Sequence, residues 1–402
     1  MKYETATIAS LMLDPANVRT HDSKNLEAIK ASLARFGQQK PIVVDAKGII
    51  VAGNGTMMAA KMLNWSSVEI VRTDLEGAEA IAYAIADNRT AELAGWDEAA
   101  LAQQLAALQI DDEELANIAG FTDAEIEAMI LDGKEIEEDE VPEPPVDPIT
   151  KAGDLWLLGN HRVLCGDSTK SEDVARLMNG AKVELVLTDP PYGVSYSEKN
   201  QFLNAIDEGN RNQTKIENDH LTKEQTQKMW KDSFSNMEKS MDGGAVVYCF
   251  MPQGGDQMMM MMMMMMEGSG IEPRHELIWL KNNHVLGRSD YCYKHEPILY
   301  AWKKGGHKFY GDFQTSVIEC NKPSSSKLHP TMKPIELLCK LITNSSLVGN
   351  SVLDLFLGSG STLIAADQLN RKCYGMEISP AYCDVIVKRW ETLTGKTATL
   401  ST

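Results

Sequence analysis

Apolar residues recur along this chain with two periods, and the switches between them mark its elements. Leu26, Ile29, Leu33 and Phe36 fall at helical spacing, and Gly37 ends the run. Residues 41–44 and 49–52 are short apolar runs on either side of Gly48, which predicts a hairpin. Gly53-Asn54-Gly55 turns the chain, Thr56 is placed to cap a helix through Leu63, and residues 68–71 supply another strand. Residues 1–75 therefore predict a small α+β domain. Residues 76–131, rich in Ala and Leu, predict a helical extension broken near Gly95 and Gly120. In it Asp97 is a cap, and Thr122 with Glu125 forms a capping box.

Residues 132–150 interrupt this rhythm. Six acids lie between Glu135 and Glu143, with four prolines by Pro148. Like charges without apolar anchors repel, so the stretch reads as a linker. Beyond it, residues 151–402 alternate strands and helices as an open α/β sheet does. Residues 154–158 and 160–167 predict a hairpin ending at Asp167. Residues 173–178 and 223–241 predict helices, and 183–187, 244–250, 275–279 and 297–302 predict strands. Residues 193–220 lack periodicity and read as a mobile loop. The nine methionines at 258–266 have good helical propensity, but identical residues specify no unique packing.

Charge changes this picture only locally. The chain of 402 residues carries a net −18, yet residues 111–148 hold fifteen acids against one lysine. Residues 271–340 hold eleven Lys or Arg against seven acids, a modestly basic segment. The seven cysteines include no C-x-x-C pair, which argues against a zinc or redox motif and for a reducing, cytoplasmic setting. Met1–Ser10 lacks a signal-peptide core, and no run is long enough to span a membrane.

Two segments carry chemistry. Residues 351–356 predict an apolar strand, Leu357-Gly358-Ser359-Gly360 a tight turn and residues 361–369 a helix. Glycine lets backbone and ligand approach closely, and the helix start offers free N–H groups. Glu377 ends the next strand, seventeen residues after Gly360, where an acid can hold ribose hydroxyls. This predicts a nucleoside-cofactor site. Leu363 stands where a dinucleotide fingerprint needs its third glycine, and no G-x-x-x-x-G-K-S/T phosphate loop occurs. Asp354 either orients the turn or meets the cofactor's amino group.

The second segment is Asp189-Pro190-Pro191-Tyr192, directly after a predicted strand. An exocyclic base amine needs two acceptors, and the Asp189 carboxylate and the Pro190 carbonyl supply them. Proline has no N–H and stiffens the turn. Tyr192 offers a ring for a base rotated out of a duplex. The alternative is a turn that simply ends a core strand. C5 methylation is disfavoured, because no cysteine follows a proline. Asp167 either lines the base pocket or caps the next helix. Thr331 and Lys333, in His329-Pro330-Thr331-Met332-Lys333-Pro334, either meet the cofactor's carboxylate end or merely enter a helix. His284, Arg288, His295, Lys303 and Lys304 lie among Tyr291, Tyr293, Trp302, Phe309 and Tyr310, a mixture that suits phosphate and base contacts.

The order of these motifs over residues 154–394 resembles β-class DNA amino-methyltransferases, with the target-recognition region at about 195–330. That resemblance implies S-adenosyl-L-methionine as cofactor and double-stranded DNA as partner. It assigns Asp189, Pro190, Pro191 and Tyr192 to catalysis, and Phe356, Gly358, Gly360 and Glu377 to the cofactor. Asp167, Thr331 and Lys333 match supporting pocket positions. The leading aspartate resembles adenine-N6 more than cytosine-N4 enzymes. Residues 5–75 resemble a ParB/sulfiredoxin-type domain through 36–44 and 50–56, an arrangement similar to phage or prophage methyltransferases. Thr56 and Met57 replace the arginines of nucleotide-binding ParB, which argues against CTP hydrolysis. No cysteine precedes Cys165, which argues against sulfiredoxin chemistry. A homodimer and a companion restriction enzyme are not legible in the chain.

Overall fold

The computed structural model describes residues 3–401, apart from 16, 112–114, 116–117, 123–124, 127–128, 130–135, 194–220, 254–255, 286–289, 312 and 322–331. The predicted loop at 193–220, except Gly193, thus lies outside the described residues, as do Thr331 and Arg288. The chain forms two compact units, Met1–Asp132 and Gly133–Thr402.

The first unit runs β1 (Tyr3–Thr7), β2 (Met12–Leu13), α1 (Ser23–Phe36), β3 (Ile42–Val44), β4 (Ile49–Ala52), α2 (Asn54–Met62), β5 (Ser67–Arg72), α3 (Gly77–Leu93) and α4 (Glu98–Asp111). Its sheet has the order β1-β5-β3-β4-β2, with β3 and β4 antiparallel across the Gly48 turn. Leu33, Ile42, Val44, Ile50, Met57 and Ile70 form its core. The α1 periodicity is realised, with Asp22 capping it by accepting the Asn25 N–H at 2.7 Å. The expected capping boundary is corrected at α2. The helix starts before Thr56, because Gly53 adopts a left-handed φ of 101° and turns straight into it. Asp97 accepts the Ala100 N–H at 3.0 Å, and Thr122 and Glu125 bond reciprocally as a capping box.

The second unit continues with β6 (Leu155–Leu158), β7 (His161–Cys165), α5 (Ser171–Met178), β8 (Val183–Thr188), α6 (Lys223–Ser240), β9 (Met241–Phe250), α7 (Asp256–Gly268), β10 (Ile271–Val285) and β11 (Tyr293–Lys303). It ends with β12 (Val317–Glu319), α8 (Ile335–Ser345), β13 (Ser351–Asp354), α9 (Ser361–Gln368), β14 (Lys372–Glu377), α10 (Pro380–Thr394) and β15 (Thr399–Ser401). Among the described residues these strands form a ten-stranded sheet ordered β12-β10-β11-β9-β8-β13-β14-β7-β6-β15. The central five, β9-β8-β13-β14-β7, are parallel, so their carboxyl ends share one edge.

Strand alternation places helices on both faces. Val186, Val247, Leu353 and Met376 point into a core with Val174 and Leu177 of α5, Trp230 and Phe234 of α6, and Met262 and Met266 of α7. Leu185, Tyr248 and Val352 are buried on the opposite face, where the Tyr248 hydroxyl meets Ser345 of α8 at 2.9 Å. The methionine run is therefore a partly buried helix, with Met261, Met262 and Met266 in the core and Met260 and Met264 exposed. No helix of the described residues is long and apolar enough to cross a membrane.

Part of the stretch read as a free linker is tied down. The Gln368 amide bonds both the N–H and the C=O of Glu137, and the Asp384 carboxylate accepts the Ile149 and Thr150 N–H groups. Backbone pairing to fixed side chains outweighs the self-repulsion that the composition suggested.

Close packing fixes the glycine-rich turn against the sheet. A Cβ on Gly375 of β14 would overlap Cδ2 of buried Leu357 and lie 3.2 Å from its Cγ. Gly375→Ala should therefore cost about 1–3 kcal/mol by overpacking. In a double-mutant cycle followed by denaturant unfolding, Leu357→Ala should lessen that cost. Equal costs in both backgrounds would contradict this packing.

Candidate active site

The site is built on the shared carboxyl edge of the parallel strands, where ligands of open α/β sheets gather. β8 ends at Thr188 and runs into Asp189-Pro190-Pro191-Tyr192. β13 lies next to it and ends at Asp354, which runs into Phe356-Leu357-Gly358-Ser359-Gly360. A single buried carboxylate links the two. Asp354 Oδ1 accepts the Thr188 hydroxyl at 2.8 Å and the Phe356 N–H at 3.0 Å, while Oδ2 accepts the Thr362 hydroxyl at 2.8 Å. Burial pushes the Asp354 carboxyl up to about 6, against these hydrogen bonds, which pull it down. Of its two readings, orientation of the turn is the one that these hydrogen bonds express.

The glycine loop is held from below by the next strand. Glu377 Oε2 accepts the Gly358 N–H at 2.8 Å and Oε1 accepts the Ser379 N–H at 2.9 Å. Burial pushes this carboxyl up to about 7, again against its backbone donors. Gly358 and Gly360 have left-handed φ of 55° and 92°, conformations that favour glycine. Gly360 is the N-cap of α9, so the helix start faces the loop. Asp167 lies on the neighbouring strand end, because Gly166 N–H bonds the Glu377 carbonyl at 3.0 Å. Its carboxylate accepts the Thr169 N–H and hydroxyl at 3.0 and 2.7 Å. It closes a local turn and does not cap α5, whose N-cap is Lys170.

The Asp189 carboxylate is engaged on both oxygens. Tyr192 donates its hydroxyl to Oδ1 at 2.6 Å, and the Lys333 ammonium pairs with Oδ2. The half-buried Tyr192 ring packs against the core, so here it is held inward and is not presented as a free stacking face. Burial, then Asp189, raises its phenol well above the ordinary value. Lys333 also pairs with Glu296 at 3.5 Å and lies over the Phe250 ring at 4.5 Å from its centroid. Burial pulls its ammonium down, but Asp189 and Glu296 outweigh burial and hold it well above the ordinary value. Lys333 thus pairs with the Asp189 turn and Glu296; the sequence reading had it either meeting the cofactor's carboxylate end or entering a helix.

Strand direction sorts the basic and aromatic residues of the target-recognition segment. β11 is antiparallel to β9, with Ile298 opposite Phe250 and Trp302 opposite Val246. Tyr293, His295 and Glu296 therefore lie toward the Asp189 edge, and Trp302 and Lys303 toward the other. Lys303 is occupied by Glu238, at 2.9 Å, and by the Glu238 and Met241 carbonyls. Trp302 is sandwiched between Arg274, at 4.7 Å, and His307, at 3.9 Å. The one basic-aromatic cluster expected from sequence is two groups at opposite edges. Tyr291 and Phe309 are exposed, Tyr310 is half-buried, and the His284 side chain lies outside the described residues.

Several supporting residues escaped the sequence reading. Trp230 is fully buried and donates its indole N–H to the Pro191 carbonyl at 3.0 Å, bracing the turn from α6. Lys281 is buried and pairs with Glu296. The signal for Glu296 was an acid just ahead of the apolar run 297–301; its meaning needed the β9–β11 register. Trp230 carried no signal beyond ordinary core periodicity.

A ParB-methyltransferase HTH domain matches residues 99–152, within a stretch read above only as helical extension and linker. The Type II methyltransferase M.HinfI of Haemophilus influenzae is 26% identical over 235 residues, covering 52% of this chain and 62% of that protein. The ParB-like nuclease domain-containing protein YnaK of Escherichia coli is 40% identical over 55 residues, covering 14% of this chain and 63% of that protein. The chain thus spans less than two thirds of either relative. The M1.HpyAVI–SAM complex is similar with a TM-score of 0.41 and 20% identity, covering 57% of this chain and 98% of that one. A DNA methylase model matches residues 183–388, more than half of the chain, and the chain therefore belongs to the N6/N4 methyltransferase family of DNA methylases.

Proposed function

We propose that this protein methylates the N6 amine of adenine in double-stranded DNA, with S-adenosyl-L-methionine as donor. One observation carries the reading. The 2.8 Å hydrogen bond between Thr188 and Asp354 fixes an acceptor-rich turn and a glycine loop at the ends of adjacent strands. A base amine held by the first then lies next to a nucleoside held by the second.

The residues fit such a donor. A methyl group on Gly358 would meet no atom within 4 Å, so this part of the backbone is open to a ligand. The Glu377 carboxylate accepts the Gly358 and Ser379 N–H groups beside the loop, and a carboxylate's roughly four acceptor sites leave room for a ribose hydroxyl. Phe356 supplies an aromatic wall, and Asp167 and Asp354 support the pocket. When bound, the donor supplies an electrophilic methyl carbon on a sulfonium.

The chain's own groups then hold the amine. Asp189 accepts one N–H and the Pro190 carbonyl accepts the other, which turns the nitrogen lone pair toward the donor. Trp230 holds the Pro191 carbonyl and keeps the turn rigid, where small displacements are costly. Tyr192 gives up its bond to Asp189 and turns to stack on the extruded adenine. Lys333 keeps the Asp189 carboxylate oriented. We assign the ParB-like and HTH-like parts to DNA binding or regulation.

The test is transfer of labelled methyl groups to unmodified duplex DNA, followed by nucleoside analysis. N6-methyladenine is expected; N4-methylcytosine alone would reject the adenine assignment. Asp189→Ala should lower the rate by about 10²-fold or more while the fold persists. Near-wild-type turnover in that variant would remove Asp189 from its role.

The raised Glu377 carboxyl sets a pH dependence. A folded-state pKa above the unfolded one gives stability that is whole below the ordinary 4.5 and lost as pH rises to about 7. Wild type relative to Glu377→Gln should therefore lose on the order of 3 kcal/mol across that window. Denaturant unfolding of both proteins at several pH values reads the difference, and a flat difference contradicts the assignment.

A further inference from the structure

The acidic connector reaches the glycine loop through one buried arginine. The Arg389 side chain, on α10, is wholly buried. Its Nε and Nη2 donate to the two Asp139 oxygens at 2.8 and 2.5 Å, a bidentate pair. Its Nη1 donates to the Ser359 carbonyl at 2.6 Å and approaches the Ser359 and Ser361 hydroxyls at 3.3 and 3.4 Å. The residues before Asp139 clamp the same segment. Glu137 exchanges two backbone bonds with Gln368, and Glu138 accepts the Glu336 N–H at 3.2 Å.

Ser359 stands between two glycines with left-handed φ. Their backbone freedom has to be removed by something outside the loop. Arg389 does so at Ser359, and Asp139 holds Arg389. A buried guanidinium deprived of its carboxylate is uncompensated and relaxes toward water, releasing the carbonyl it held.

We propose that Asp139 is a positioning residue of the cofactor loop, acting through Arg389 to set affinity for S-adenosyl-L-methionine. This rests on the donor proposed above and adds a determinant from the connector. The paired acid is thereby distinct from the solvated charges around it.

The test uses the full chain with two variants. Asp139→Ala removes the carboxylate; Asp139→Leu with Arg389→Met removes both charges and keeps an apolar, foldable interior. Calorimetry should show the Kd for S-adenosylhomocysteine rising about tenfold in both, the worth of one charge-assisted hydrogen bond. KM for the donor should rise in parallel, with KM for DNA unchanged. Hydrogen exchange at residues 357–362 should quicken while β8 and β9 stay protected. A lowered unfolding midpoint with wild-type affinity and loop exchange would reduce the pair to a structural prop and overturn the proposal. Should the wild-type chain bind no S-adenosylhomocysteine, the donor assignment falls, and the hydrogen-exchange comparison still decides the positioning role.

Discussion

The Asp354 carboxylate is buried, and hydroxyl groups and a backbone N–H from three segments converge on it. Thr188 comes from the strand that delivers the Asp-Pro-Pro-Tyr turn, Phe356 from the glycine loop and Thr362 from the first turn of α9. Withdrawing such a group from water costs several kcal/mol unless its lone pairs are filled. That cost makes the arrangement specific: shifting either strand end leaves a buried oxygen unsatisfied. The two halves of the site are thus registered to each other by the same penalty that keeps polar groups out of cores.

Glu377 repeats this logic one strand further on. Its carboxylate bonds Gly358 and Ser379, so the loop is suspended between two buried acids. Both acids are pushed up by burial; the Asp354 charge adds to the cost of ionising Glu377, and the Asp189 charge to that of ionising Asp354. Close negative charges of this kind are tolerable where they also face donors or a cationic ligand. Such sites trade stability for chemistry. Lys333 supplies the opposite balance at the other half, where a buried ammonium is shared by Asp189 and Glu296.

Most of the second unit was legible because its strands are continuous apolar runs bounded by glycine, proline and acids. The order of Asp189–Tyr192, the loop at 357–360 and Glu377 marked the edge where strands end. What was illegible depended on register and direction. Glu296 and Lys281 join the site because β10 and β11 are antiparallel, and Lys303 leaves it for the same reason. β1 and β15 are edge strands with little apolar content and β12 spans only three residues, so local pattern carries almost no signal there. Gly53 beginning α2 escaped notice because Thr56 is the better capping residue on propensity, and the backbone turn overrode propensity.

The Asp189 turn and the connector illustrate two uses of charge that composition cannot separate. Around Asp139 the sequence shows only a run of acids, and a run of acids predicts repulsion. One member of that run faces a guanidinium enclosed on all sides, while Glu140 beside it is exposed. Around Asp189 a single acid faces both a lysine and a phenol. In each case a buried cation selects its carboxylate, because leaving the cation unpaired costs more than ordering the chain that pairs it. Burial, which only the fold reveals, decides which of many similar acids acquires a role.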